Sequence, residues 1–162
     1  MLGKPVLAAL NDQIKAELYS SYIYLAMSAH FESANLTGFA HWMRVQAKEE
    51  LGHALKFYDY IHEQGAAVTL QAIDQPPTSY GTPLAVFQAV LEHEKKVTGL
   101  IHNLVATATK ETDYATQNLL VWFVNEQVEE ERNASQIVEE LKMVGDSGAS
   151  LFLVDRQLAA RS

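Results

Sequence analysis

The sequence predicts an all-α fold: a four-helix bundle with a long crossover between its second and third helices and a short fifth helix at the end. Three observations lead there. Apolar residues recur at three- and four-residue spacing over four long stretches, the period of a helix that buries one face. Prolines number only four, and three of them fall between positions 76 and 83, so long helices can run elsewhere. Cap and breaker residues divide the chain into two pairs of closely linked helices, with one long gap between the pairs.

The first helix is expected from Pro5 to Ala34, because proline suits a first helical position, where its missing N–H is not needed. Asn35-Leu36-Thr37-Gly38 breaks the pattern. The second helix runs from Phe39 to Gln64 and ends on Gly65 as a C-cap residue. Ala66 to Gly81, with Asp74-Gln75-Pro76-Pro77 inside it, is not helical. It is too long for a tight turn and should run the length of the bundle. Thr82 caps a third helix that begins at Pro83 and ends near Lys110. Asp113 caps a fourth that reaches Val144, with Gly145 after it. Asp146 to Gly148 reads as a hinge, and 149–160 as the fifth helix. Each long helix should span about 40 Å.

The 162 residues suit one domain, 1–162, with the bundle at 5–144. Such a domain buries roughly 70% of the surface that its unfolded chain exposes. The net charge of -8 disfavours nucleic acid and anionic lipid as partners and attracts cations. With no cysteine, disulfides, thiolate metal sites and cysteine nucleophiles are excluded. The start of the chain lacks the apolar core of a signal peptide. The longest apolar run, Leu119 to Val124, is far short of the ~18 residues of a membrane span. The expectation is a cytoplasmic protein with no membrane partner.

The seams facing the bundle interior can be written out. The first helix offers Leu7, Leu10, Ile14, Glu17, Ser21, Tyr24 and Ser28; the second, Phe39, Met43, Gln46, Glu50, His53, Phe57 and Tyr60. The third offers Phe87, Val90, Glu94, Val97, Ile101 and Leu104; the fourth, Leu120, Phe123, Gln127, Glu130, Ala134, Ile137, Leu141 and Val144. Glu17, Glu50 with His53, Glu94, and Gln127 with Glu130 interrupt otherwise largely apolar seams near the helix midpoints. Antiparallel packing brings four midpoints to one level, so these groups should converge.

Burying even one unpaired carboxylate costs several kcal/mol or more, so four together must be protonated or bound to cations. Oxygen ligands with one imidazole suit iron or manganese, with zinc as a competitor. Glu50 and His53, three apart, share a helix face and can hold one ion. A glutamate can bridge two ions, so the cluster has ligands enough for two. A Glu from each of two helices plus Glu-x-x-His from each of the other two is the ligand set of di-iron bundle proteins. The second half departs from it, because Asn133 stands three residues past Glu130. The site is therefore expected to be asymmetric, with one ion held tightly and one more weakly.

Several stretches together carry a resemblance over nearly the whole chain. They are Glu17-Leu18-Tyr19-Ser20-Ser21, Glu49-Glu50-Leu51-Gly52-His53, Trp122-Phe123-Val124-Asn125-Glu126-Gln127 followed by Glu129-Glu130-Glu131, and Leu151-Phe152-Leu153-Val154-Asp155. In these the chain resembles the bacterial non-haem ferritins. The resemblance implies a ferritin-like bundle that stores iron and oxidises iron(II) with O2 or H2O2. It implies a first iron site of Glu17, Glu50 and His53, and a second of bridging Glu50 with Glu94 and Glu130, Gln127 beside it. A third site on the cavity side would use Glu49, Glu126, Glu129 and Glu130. Tyr24 resembles the family's redox-active tyrosine. Subunits of this kind form a 24-subunit homo-oligomeric shell, with the fifth helix about its four-fold axes. Haem is not expected: haem-containing bacterioferritins carry a methionine directly after the bridging glutamate, where this chain has Leu51. Rubrerythrins need a cysteine-ligated iron domain, which this chain cannot supply.

Blander readings exist for single residues. Tyr24 could be a core tyrosine, Gln127 a buried amide, and Glu126 and Glu129 surface charges. Trp122 reads as packing, and His30, His41, His62, His93 and His102 as surface or structural. Leu151, Val154 and Leu158 on the fifth helix suit burial against a partner. The competing functional reading is a di-iron oxidase or peroxide scavenger that stores nothing.

Overall fold

The computed structural model describes residues 2–145 and 147–162. It contains α1 (Lys4–Ser33), α2 (Thr37–Glu63), α3 (Pro83–Lys110), α4 (Tyr114–Val144) and α5 (Gly148–Ala159), with no strand among the described residues. The expected all-α bundle with a crossover and a short fifth helix is what is found. Asp146, the first residue of the expected hinge, lies outside the described residues.

The helix ends follow from local chemistry. Thr82 Oγ1 accepts from the Ala85 N–H at 3.2 Å, and Asp113 Oδ1 from the Thr116 N–H at 3.0 Å, so both expected N-caps form. Three helices stop in the same way. Past α1, the Asn35 N–H donates to the Glu32 carbonyl and the Leu36 N–H to the Phe31 carbonyl; Gly65–Ala66 and Thr112–Asp113 repeat this after α2 and α3. That pair of hydrogen bonds requires a left-handed residue, and Asn35, Gly65 and Thr112 have φ of 59°, 72° and 56°. Glycine adopts it freely, asparagine tolerably, and a β-branched threonine only under strain.

Gly38 was expected to lie in the break, but α2 already begins at Thr37. The reason is a cap from far along the chain. Asp155 Oδ1, on α5, accepts from the N–H groups of Gly38 at 2.9 Å and Phe39 at 3.0 Å. A carboxylate suits this end of a helix, where N–H groups lack partners. The approach is so close that a Cβ on Gly38 would sit 1.7 Å from the Asp155 carbonyl oxygen. α5 thus docks on its own bundle. Val154 and Leu158 join the core beside Trp42 and Ile137, and Leu151 packs against it. The sequence expects them to face a partner; the large apolar α5 side chains left exposed are instead Phe152 and Leu153.

The crossover runs alongside α1. Near its start the Thr69 N–H donates to Asn11, and near its end the Gly81 carbonyl meets His30. The core is in two blocks. One surrounds Phe31, Phe39 and Phe87, the other Phe57, Ile101 and Phe123. Every seam residue named for α2 and α3, and every one for α4 except Val144, is buried.

Candidate metal centre

Between the two apolar blocks lies a polar layer. α1 contributes Glu17, α2 Gln46, Glu50 and His53, α3 Glu94, and α4 Gln127 and Glu130, none more than 5% exposed. The 3.6-residue period aims each inward, and the packing of the helices sets them at one height.

Two triplets share Glu50. Glu17, Glu50 and His53 form one, Glu50, Glu94 and Glu130 the other, and in each the ligand atoms lie within 4.8 Å of one another. His53 Nδ1 is 3.2 Å from Glu50 Oε2 and 4.0 Å from Glu17 Oε2. The latter oxygen is buried without a hydrogen-bond partner, which is rare for a buried acceptor and suits a cation ligand. A third triplet, His53, Glu126 and Glu130, lies on the other side of the imidazole, with His53 Nε2 3.6 Å from Glu126 Oε1.

Amides and a phenol hold the remaining oxygens. Gln13 Nε2 donates to Glu17 Oε1 at 2.8 Å. Gln46 Nε2 donates to Glu50 Oε1 at 3.0 Å and to Glu130 Oε2 at 2.9 Å. Gln127 Nε2 donates to the Glu94 carbonyl and to Glu94 Oε2, both at 3.2 Å. The Tyr24 hydroxyl donates to Glu94 Oε1. These donors fix carboxylate orientation, as the outer partners of metal ligands do.

Crowding raises the proton affinity of the layer. Burial, then the charge of Glu50, pushes the Glu17 carboxyl well above its usual range. Burial with Glu94 and Glu130 does the same to Glu50. Glu130 is pushed up to about 8 by burial and by Glu94. Burial raises Glu94 too, against the bonds from Tyr24 and Gln127. Burial and the Glu94 charge keep the Tyr24 phenol protonated. Without ions the layer is therefore partly protonated. A cation in each triplet would displace those protons and remove the repulsion.

The other residues singled out in the sequence lie at the edge. The Glu49 side chain is 42% exposed and its Oε2 sits 2.6 Å from Arg161 Nη2. Glu129 is exposed, 4.0 Å from Arg132. Trp122 meets His53 edge-on at 5.5 Å, with Lys56 Nζ 3.9 Å above its ring. His93 bonds to Ser20 at 2.8 Å, and burial lowers it to about 4, the behaviour of a neutral structural imidazole. Asn133, in the place of a second histidine, lines a cleft of about 390 Å³ beside α5 with Trp42 and Arg161. Sequence reasoning missed Gln13 and Arg161, and left Gln46 as a seam residue. The signal for the two amides was their position four residues before Glu17 and Glu50.

Known proteins are similar to this chain over its whole length. The family model described as a ferritin-like domain matches residues 7–144. A bacterial non-heme ferritin of Bacteroides fragilis is 47% identical over 161 residues, 99% of this chain and all of that protein. One of Staphylococcus haemolyticus is 41% identical across all of this chain and 98% of its own. Among solved structures, an engineered closed form of the Archaeoglobus fulgidus ferritin superimposes with a TM-score of 0.99 at 48% identity, covering 100% of this chain and 99% of that one. The open-pore ferritin of the same archaeon gives a TM-score of 0.99 at 47% identity, with both chains fully covered.

Proposed function

The chain belongs to the ferritin family, and from that premise we propose that it stores iron and is a ferroxidase acting on its own cargo. Iron(II) is the substrate. The first ion takes Glu17, Glu50 and His53; the second takes Glu50, Glu94 and Glu130. The observation that carries this reading is Glu50, a buried carboxylate shared by two triplets of potential ligands. A shared carboxylate holds two ions at the ~3.5–4 Å separation of two-metal sites.

The chain positions and the iron supplies electrons. Each iron(II) gives up one electron, and the pair reduces O2 to the level of peroxide, or with two protons reduces H2O2 to two waters. His53 presents Nδ1 to the first ion. Gln127 steadies Glu94 for the second. Tyr24, bonded to Glu94, gives a further electron to the partly reduced oxygen while its proton passes to that carboxylate. Iron(III) then leaves towards an outer site at Glu126 and Glu130, with Glu49 and Glu129 at its rim. The iron mineralises inside a shell of 24 subunits, in the cytoplasm. Among the described residues no helix is long and apolar enough to cross a membrane. Leu51 follows the bridging glutamate and is 43% exposed; it offers no haem ligand.

The test is direct. Metal-free protein given iron(II) in air should oxidise it rapidly and keep hundreds of ions per shell in solution, and Glu50→Ala should do neither. Equal rates for the two proteins overturn the assignment. Elution as a dimer or smaller excludes storage and leaves the oxidase or peroxide-scavenger reading.

A further inference from the structure

One side chain outside the layer reaches its innermost amide. Gln46 is fully buried, and every polar atom of its side chain is used. Its two N–H bonds point at Glu50 and Glu130. Its Oε1 accepts from Arg161 Nη2 at 2.8 Å. A guanidinium has donors and no acceptor, so it can face only the oxygen of the amide. That leaves the nitrogen for the carboxylates. We propose that Arg161 is a positioning residue of the metal centre, locking the Gln46 amide so that it orients the bridging Glu50 and the second-site Glu130.

Arg161 is itself held firmly. Its Nη1 donates to the Trp42 carbonyl at 3.3 Å, and its guanidinium lies 4.3 Å from the centre of the Trp42 ring. Its Nη2 also reaches Glu49 Oε2 at 2.6 Å, and its carbonyl meets His41 Nε2 at 2.6 Å. It follows α5, which Asp155 fastens to the start of α2. A continuous line of contacts therefore runs from the fifth helix through Arg161 and Gln46 to the carboxylate shared by both ions. Without the guanidinium the amide is free to turn over. Its oxygen would then oppose two carboxylate oxygens, and Glu50 and Glu130 would be displaced from each other. The second position, which uses both, is the more exposed to this fault. Arg161 lies 115 residues from Gln46 in sequence, and no local pattern marks the pair.

The inference rests on the two-ion reading above, and cobalt(II) titration separates the two. Wild-type shells should bind two cobalt ions per subunit with a visible d–d spectrum. In Arg161→Ala the second ion should bind ~10-fold more weakly, the loss usual for an outer partner of a metal ligand, with the first little changed. Arg161→Lys, which keeps a cationic donor, should recover part of the loss. Gln46→Ala should reproduce the defect, and Arg161→Ala/Gln46→Ala should be no worse than Gln46→Ala alone, because the two act in series. If wild type binds no cobalt, the two-ion reading fails. If it binds two and Arg161→Ala titrates identically, or the double variant is additive, the positioning role is overturned while that reading stands.

Discussion

The two halves of the metal layer are built from corresponding helix pairs and solve the same problem differently. In the α1–α2 half, an imidazole stands beside Glu17 and Glu50, and one Glu17 oxygen is left without a hydrogen-bond partner. In the α3–α4 half there is no imidazole. Glu94 is held by Tyr24 and Gln127, and Glu130 by Gln46. The first half leaves one carboxylate oxygen without a hydrogen-bond partner beside an imidazole, whereas in the second Tyr24, Gln127 and Gln46 steady the carboxylates. Carboxyls of raised proton affinity must lose their protons to bind in either half, and the imidazole adds a ligand atom that brings no negative charge to the crowd. The α1–α2 half, with its imidazole and a Glu17 oxygen that lacks a hydrogen-bond partner, should therefore fill first and the α3–α4 half more weakly.

The largest effect should come from abolishing the distinction. Glu50 belongs to both halves, so Glu50→Ala should lower initial iron(II) oxidation by at least ~100-fold, the upper end for loss of a mere outer partner. Stopped-flow oxidation in air measures it. Next come variants that disable one half each. His53→Ala should lose the tight ion and Glu94→Ala the weak one, each leaving a single zinc ion per subunit by calorimetry. If His53→Ala instead keeps the tight ion, the asymmetry is misassigned.

A smaller effect appears in the metal-free protein. Glu130 keeps its proton to about 8 when folded, against 4.5 ordinarily. Below pH 4.5 both folded and unfolded forms are protonated, and nothing is lost. Between 4.5 and 8 the unfolded chain releases a proton that the folded chain retains, so this group's contribution to stability falls as pH rises. Glu130→Gln should thus melt ~5 °C above wild type at pH 8 without metal, with the gap closing towards pH 4.5. Saturating metal should reverse the order. The smallest effect is expected for Tyr24→Phe. Losing one hydrogen bond to a carboxylate, worth ~1 kcal/mol, should weaken the second ion ~5-fold and leave the first unchanged.

Much of this was legible because helices encode their inward face every three or four residues. Glu17, Glu50, Glu94 and Glu130 could be placed at one level from seams alone, and Thr82, Asp113 and Gly65 marked ends through purely local bonds. What was illegible depends on distant residues. Asp155 caps α2 across more than a hundred residues, so Gly38 read as a breaker when it is a contact point for α5. Thr112 ends α3 in a left-handed conformation that its residue type disfavours, and nothing nearby announces it. Val154 and Leu158 show an apolar face, but a sequence cannot say whether that face meets its own bundle or another subunit. The triplets could be assigned to ions only through the family resemblance, because spacing brings carboxylates together without saying how they share.

The apolar core is divided, with one block on each side of the charged waist. Packing at both ends can then hold the four rods in register whether or not the middle is filled. A metal that must be handed on cannot also be the rivet that keeps its container closed. Here the closing is done by the two ends of the bundle, and the middle is given over to chemistry.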